Sequence, residues 1–229
     1  MNKRKIKEIL GELPYTAELY WQFVQRHKTW QSHFNLDLLE LELPKAVAQA
    51  EPYFHSAIPG KKVLVFASLH YWIEFSMFLS VALAGQGHRV TFAFLPYASW
   101  DQPIQRFDLR RQNLYARQVL RPASSLLNVQ SLLDIKPLSR NLPPELRDAV
   151  EEVSVFDAQY SLQVEDITQD EAVYKLRYER NLEAALNARA WIMAHQPDVV
   201  IVPNGTIQEM GMIYRVARYL EIPTVTFEF

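Results

Sequence analysis

His70 and Glu74 lie one helical turn apart, just after the aliphatic run at residues 63–69. A neutral imidazole there can accept a proton from a hydroxyl, and a carboxylate nearby can orient it and raise its pKa. The same pair also suits the first turn of a helix, where caps and dipole-facing carboxylates are common. Asn204, Gly205 and Thr206 form a second candidate group. Backbone N–H groups and a hydroxyl at a helix start can hold an anion or a sugar hydroxyl. Asn-Gly is equally the ordinary chemistry of a tight strand-to-helix turn. Thr206 and Glu209 have the spacing of a capping box. Glu228, between Phe227 and Phe229, is costly to bury without a partner or a role. Tyr71, Trp72, Tyr97 and Trp100 can stack on a sugar or base, or fill a core.

Five arginines, Arg106, Arg110, Arg111, Arg117 and Arg121, are opposed in their stretch only by Asp108. They can form a phosphate-facing strip, although a solvated helix face is the commoner outcome. No G-x-G-x-x-G, G-x-x-x-x-G-K-[ST], G-x-S-x-G or H-E-x-x-H motif occurs. With six glycines in all, none clustered after a strand, no phosphate cradle is expected. Dinucleotide oxidoreductases and P-loop nucleotide hydrolases drop out. The six histidines are scattered, so neither a metal nor a cofactor is expected. Zero cysteines exclude a disulfide scaffold, a thiolate zinc site and a thiol nucleophile, and suit a cytoplasmic location. The net charge of −2 gives no reason to expect a nucleic-acid partner. The longest apolar run, 69–84, is broken by His70, Glu74, Ser76 and Ser80. It falls short of the roughly 20 apolar residues that a membrane span needs, so no transmembrane segment is expected. The basic N-terminus is not an export signal, because Lys7, Glu8, Gly11 and Glu12 interrupt it.

These side chains need a frame. Apolar runs at 63–68, 89–95, 198–202 and 224–228 read as buried parallel strands. Helices are expected at 71–84, stopped by Gly85-Gln86-Gly87, at 170–195 and at 207–220. The core stripe of the 170–195 helix is read as Tyr174, Tyr178, Leu182, Ala185, Leu186, Ile192 and Met193. Residues 97–170 are the least legible, with a possible strand at 129–135 and a short helix at 143–150. The first 58 residues show no strand pattern. They read as a helical arm, with helices at 15–26 and 36–50 and Pro44 breaking or restarting the second. The expectation is a doubly wound, Rossmann-like α/β domain at 59–229, with the arm at 1–58 packed on it. Ligands bind such sheets at the strands' carboxyl ends. His70, Glu74, Asn204, Thr206 and Glu209 should therefore converge there.

The stretch KVLVFASLHYWIEFSMFLSVALAGQGHRVTFAFLP, in which Gly87-His88-Arg89-Val90-Thr91 leads into the second strand, resembles the opening of the N-terminal domain of GT-B-fold glycosyltransferases. PDVVIVPNGTIQEMGMIYRVARYLEIPTVTFEF is similar to the closing part of that domain in capsule-polysaccharide-biosynthesis-type transferases. The resemblance covers about a third of the chain. It implies an acceptor-side domain in polysaccharide or glycan biosynthesis. His70 occupies the loop where inverting members often keep a base, with Glu74 beside it. Tyr71, Trp72, Asn204, Gly205, Thr206, Glu209 and Glu228 would meet a glycan or small-molecule acceptor. The sugar nucleotide would be bound only by a second Rossmann-like domain, absent from this chain, so that the chain reads as an N-terminal half inactive alone. The alternatives are a non-catalytic α/β ligand-binding or regulatory domain, and a complete small enzyme such as a sugar-phosphate-modifying one.

Overall fold

A computed structural model describes residues 3–25, 32–137 and 139–228. Five strands, β1 (Lys62–Ser68), β2 (Arg89–Leu95), β3 (Asn128–Ser131), β4 (Val199–Pro203) and β5 (Thr224–Phe227), make one sheet in the order β3-β2-β1-β4-β5. Every neighbouring pair is parallel. The chain winds outward from β1 to β3, then returns to the other side of β1 for β4 and β5. This is the Rossmann-like doubly wound plan, with its switch point between β1 and β4.

The alternation of side chains along each strand feeds two cores. Val63, Val65, Phe92 and Phe94 pack with α3 (Asp37–Ser56), α4 (His70–Gly85) and α5 (Arg106–Leu120). Leu64, Phe66, Ala93 and Val202 pack on the other face with α6 (Pro144–Leu162), α7 (Ala172–His195) and α8 (Gln208–Tyr219). The four expected strands all belong to this sheet. The strand expected at 129–135 is shorter, because Leu132–Asp134 turns into a 3-10 segment in which Ser131 Oγ accepts from Leu133 N at 3.3 Å. The short helix expected at 143–150 continues to Leu162.

The arm adds α1 (Lys3–Glu12), which the sequence pattern did not announce, and α2 (Thr16–Tyr20), which runs into a single π-helical segment at Trp21–Gln25. The helix expected over 15–26 ends at Arg26, which lies outside the described residues, as do His27 and Phe229. Pro44 does not break the next helix. The helix α3 runs through both Pro44 and Pro52. An interior proline costs about 3 kcal/mol, but Leu39, Leu43 and Val47 recur every four residues and are buried. Burying such side chains is worth about 1.5–3 kcal/mol each, so packing wins.

Arg106, Arg117 and Arg121 are exposed, as expected of a solvated face, whereas Arg110 and Arg111 are partly buried, and four of the five are engaged by neighbouring groups. Arg110 pairs with Glu18 and donates to the carbonyls of Gly11 and Leu13, at 3.2 and 2.8 Å. Arg106 pairs with Glu12 at 3.2 Å, and Arg111 holds Gln25 Oε1 at 2.7 Å and Asp108 at 3.0 Å. Arg117 pairs with Asp134 at 2.7 Å. These side chains fasten the arm to α5 and α5 to the sheet edge. No helix among the described residues is long and apolar enough to cross a membrane.

Candidate functional site

The loops after β1 and β4 open on the same edge, because these strands are parallel neighbours. There, α4, α8 and the ends of β4 and β5 enclose a crevice of about 310 Å³. Tyr71 and Trp72 enter it from the first turn of α4, and Trp100 from the loop after β2. Tyr160, from the last turn of α6, completes an aromatic lining, with Trp100 and Tyr160 centroids 5.5 Å apart. Asn204, Gln208 and Glu228 supply the polar groups. Asn204 Nδ2 donates to Glu228 Oε1 at 2.9 Å. Larger clefts exist, of about 690 Å³ against the arm and about 770 Å³ at the amino edge. Neither includes the loop after β4 at the switch point, where doubly wound sheets bind ligands.

Of the residues expected to form the site, Tyr71, Trp72, Asn204 and Glu228 line the crevice, and His70, Glu74, Gly205, Thr206 and Glu209 do not. Gly205 backs Asn204; a Cβ there would lie 2.8 Å from Thr226 Cγ2, so its role is close packing. Thr206 is exposed and donates its hydroxyl to Asn204 Oδ1 at 2.7 Å. It makes no capping box with Glu209. Asn204 Oδ1 also accepts from the N–H of Thr206 and of Ile207, at 2.8 and 3.3 Å, closing an Asx-type turn. Trp72 donates to the Tyr71 hydroxyl, and burial pushes that phenol above its ordinary pKa. Tyr97 is buried in the core, with the Arg180 guanidinium 4.3 Å from its ring centroid.

His70 begins α4, with its ring edge-on to Tyr71 at 5.2 Å. Its Nδ1 is buried without a hydrogen-bond partner. Burial lowers its pKa, opposite to the raised value expected from a carboxylate neighbour. The reason is visible at Glu74, whose Oε1 accepts from Leu38 N at 3.2 Å in the first turn of α3. Glu74 therefore ties α4 to the arm. Glu209 is fully buried and faces away from solvent.

What Glu209 joins is a charged network beneath the crevice that sequence reasoning missed. Arg177 Nε donates to Asp157 Oδ2 at 2.9 Å, and Arg177 also pairs with Glu209 at 2.9 Å. Further bonds reach Trp100 O at 3.0 Å and Asn181 Oδ1 at 3.1 Å. Ser68 Oγ donates to Glu209 Oε2 at 3.0 Å, and Asp157 Oδ1 accepts from Gln208 N at 2.7 Å. Asp157 thus caps α8 from 51 residues away. Arg180 donates to Ser99 O and Gln102 O, both at 2.6 Å. The network fixes the loop that carries Trp100, the end of β1 and the start of α8. Burial pushes the Glu209 carboxyl up, but Arg177 and Arg180 overcome it and hold the group below its ordinary range.

The backbone is unusual at this edge. Leu69, between β1 and α4, has φ 65 and ψ 147, and Asn204 and Gln208 have φ 48 and 60. Such conformations cost about 1–3 kcal/mol each in non-glycine residues and collect at functional sites. By contrast, the Gly87-His88 step serves the opposite edge. Gly87 takes φ 90 because a Cβ would sit 2.3 Å from Ile58 O, and His88 Nδ1 accepts from Lys61 N at 3.1 Å. The Gly87-His88 step is thus turn chemistry at the amino end of the sheet.

Among the described residues, no three of His, Cys, Asp and Glu come together as metal ligands. No family model matches the sequence, and no curated protein is significantly similar to it.

Proposed function

We propose that the chain is the acceptor-side α/β domain of a glycosyltransferase, taking a hydroxyl-rich glycan or small-molecule acceptor in the switch-point crevice. One observation carries this reading: four aromatic side chains and three hydrogen-bonding ones line a single crevice at the carboxyl edge of the sheet. Flat apolar rings interleaved with amide and carboxylate groups match the two kinds of surface on a sugar, its C–H face and its hydroxyl rim. His70 does not itself line the crevice, but it lies beside Tyr71, which does, and burial lowers its pKa; in this reading it is the group that accepts a hydroxyl proton. The sugar nucleotide is assigned to a separate domain, since this sequence has no glycine-rich phosphate cradle.

A non-catalytic ligand-binding domain is the second reading. It is favoured by one fact, that Glu74 is spent on the α3 backbone and does not orient His70. The two readings share the crevice and differ in chemistry. Titration of the chain with mono- and oligosaccharides, followed by the indole N–H signals of Trp72 and Trp100, should show saturable shifts. Sugar nucleotides should bind no more tightly than the matching free sugars. Micromolar binding of a sugar nucleotide with turnover by this chain alone would refute the acceptor-side assignment. In a complete enzyme containing this chain, His70→Ala should abolish most turnover with binding unchanged; unchanged turnover would favour the second reading.

A further inference from the structure

The crevice combines aromatic faces and amide groups with a single carboxylate. Glu228 is its only charged lining residue, and it has no cationic partner among the described residues. The carboxylates below, Asp157 and Glu209, share the Arg177 guanidinium, and Arg180 also acts on Glu209, so they are already provided with cations. Gln208 is 5% exposed and lines the crevice, yet among the described residues its Oε1 has no hydrogen-bond partner. A buried acceptor left unpaired costs about 1–3 kcal/mol, so a ligand that donates to it recovers that loss. The ring pairs Tyr71–Trp72 and Trp100–Tyr160 come from elements on different sides of the crevice, α4 on one and the β2 loop with α6 on the other. Aromatic faces attract a cation placed within about 6 Å of the ring.

From these features we infer that the crevice selects a ligand bearing a protonated primary amine, of the amino-sugar type. The inference rests on the acceptor-side reading and narrows it. An ammonium offers three N–H donors. The Gln208 Oε1 and the Glu228 carboxylate would accept two of them, while the rings of Trp100 and Tyr160 face the positive charge. An N-acetylated or hydroxyl analogue loses the charge and leaves Glu228 facing a neutral group.

The test is a titration of the chain with glucosamine, N-acetylglucosamine and glucose at pH 6.5, read by the Trp indole N–H signals. Glucosamine should bind about tenfold more tightly than either neutral sugar, equivalent to ~1.4 kcal/mol. Glu228→Gln should remove that advantage, weakening glucosamine about tenfold more than it weakens glucose. Tyr160→Leu, at a position 59% exposed and therefore safe for folding, should weaken glucosamine several-fold more than glucose. If glucose or N-acetylglucosamine binds as tightly as glucosamine, the amine inference fails and the acceptor-side reading stands. If no sugar shifts the indole signals of Trp72 or Trp100, both fail. If glucosamine is preferred but Glu228→Gln does not change the preference, the charge assignment within the crevice is wrong.

Discussion

Arg177 is fully buried, and its guanidinium touches four partners, one each from the loop after β2, α6, α7 and α8. Arg177→Met keeps the unbranched apolar stem and removes only the charge and the donors. Asp157, 1% exposed, and Glu209, 0% exposed, are then left as buried carboxylates without their shared cation. Removing one partner of a buried ion pair costs about 3–5 kcal/mol, out of a total domain stability of about 5–15 kcal/mol. A loss near 4 kcal/mol at pH 7 is expected, measured by urea unfolding as a lower midpoint with the slope unchanged. In the variant, burial acts on both carboxyls opposed only by Arg180 and by neutral donors, so their folded pKa values rise. The folded state then binds protons more readily than the unfolded chain, and the penalty should shrink from pH 7 toward pH 5. Arg177→Met with Asp157→Asn and Glu209→Gln should recover more than half of the loss, because the unpaired charges are gone. Arg177→Lys should not, since one ammonium cannot span a fork-shaped set of four acceptors. A loss below about 1 kcal/mol, or a triple variant no better than the single one, would refute the claim that this network holds the site together.

Two further outcomes follow from other parts of the molecule. Burial depresses the His70 pKa, so an NMR titration should place its midpoint below the unfolded value of about 6.5. Below that pH the unfolded chain takes up the proton first. Stability therefore falls as pH drops through the folded pKa and is flat above about 6.5, and His70→Gln should remove this step; a His70 midpoint above 6.5 would contradict the burial argument. At the arm, Arg110→Ala removes a partly exposed pair with Glu18 and two bonds to carbonyls. Global stability should change by no more than about 1 kcal/mol, while amide exchange should quicken in α1 and α2 and not in the sheet.

The sheet was legible because a buried parallel strand announces itself locally. The runs VLVFAS and VVIV are apolar on both faces, short, rich in valine and preceded by turn residues, the combination that separates a buried strand from a buried helix segment. What failed depended on distance or on direction. The Thr206–Glu209 spacing matched a capping box, but Glu209 turns inward to Arg177, and the cap comes from Asp157 on another helix. On α7, Tyr174, Ala185 and Ile192 of the expected stripe are buried, but Tyr178, Leu182 and Leu186 are only partly so, and Met193 is exposed. The buried face also takes in Arg177, Asn181, Ala184 and Ala188. Two polar residues four apart, in register with alanines, are the trace of a buried polar network on a helix. That signal was present in the sequence and was masked by the stronger aromatic pattern beside it.

The strain at this edge and the network below it are one arrangement. Of the residues with positive φ, Gln163 and Gln196 sit in left-handed positions at helix ends, where the conformation is ordinary. Leu69 is different, because ψ 147 places it outside that region, in backbone territory that glycine normally occupies. Its side chain is 2% exposed and packs in the same core as Leu64 and Phe66, and this burial holds the conformation. The consequence is directional: the sharp turn at Leu69 aims the first residues of α4, including Tyr71 and Trp72, across the edge toward Asn204 and Glu228. On the far side, Gln208 also has positive φ, and its N–H is held by Asp157 while Arg177 grips the carbonyl of Trp100. Both walls are thus set before any ligand arrives. A crevice whose rings are already placed loses less ordering entropy on binding, which is the circumstance in which a few contacts give useful affinity. Were this edge only a structural corner, a glycine at position 69 would meet the turn at lower backbone cost. A strained leucine there keeps α4 anchored in the core at the point where its first turn reaches into the crevice.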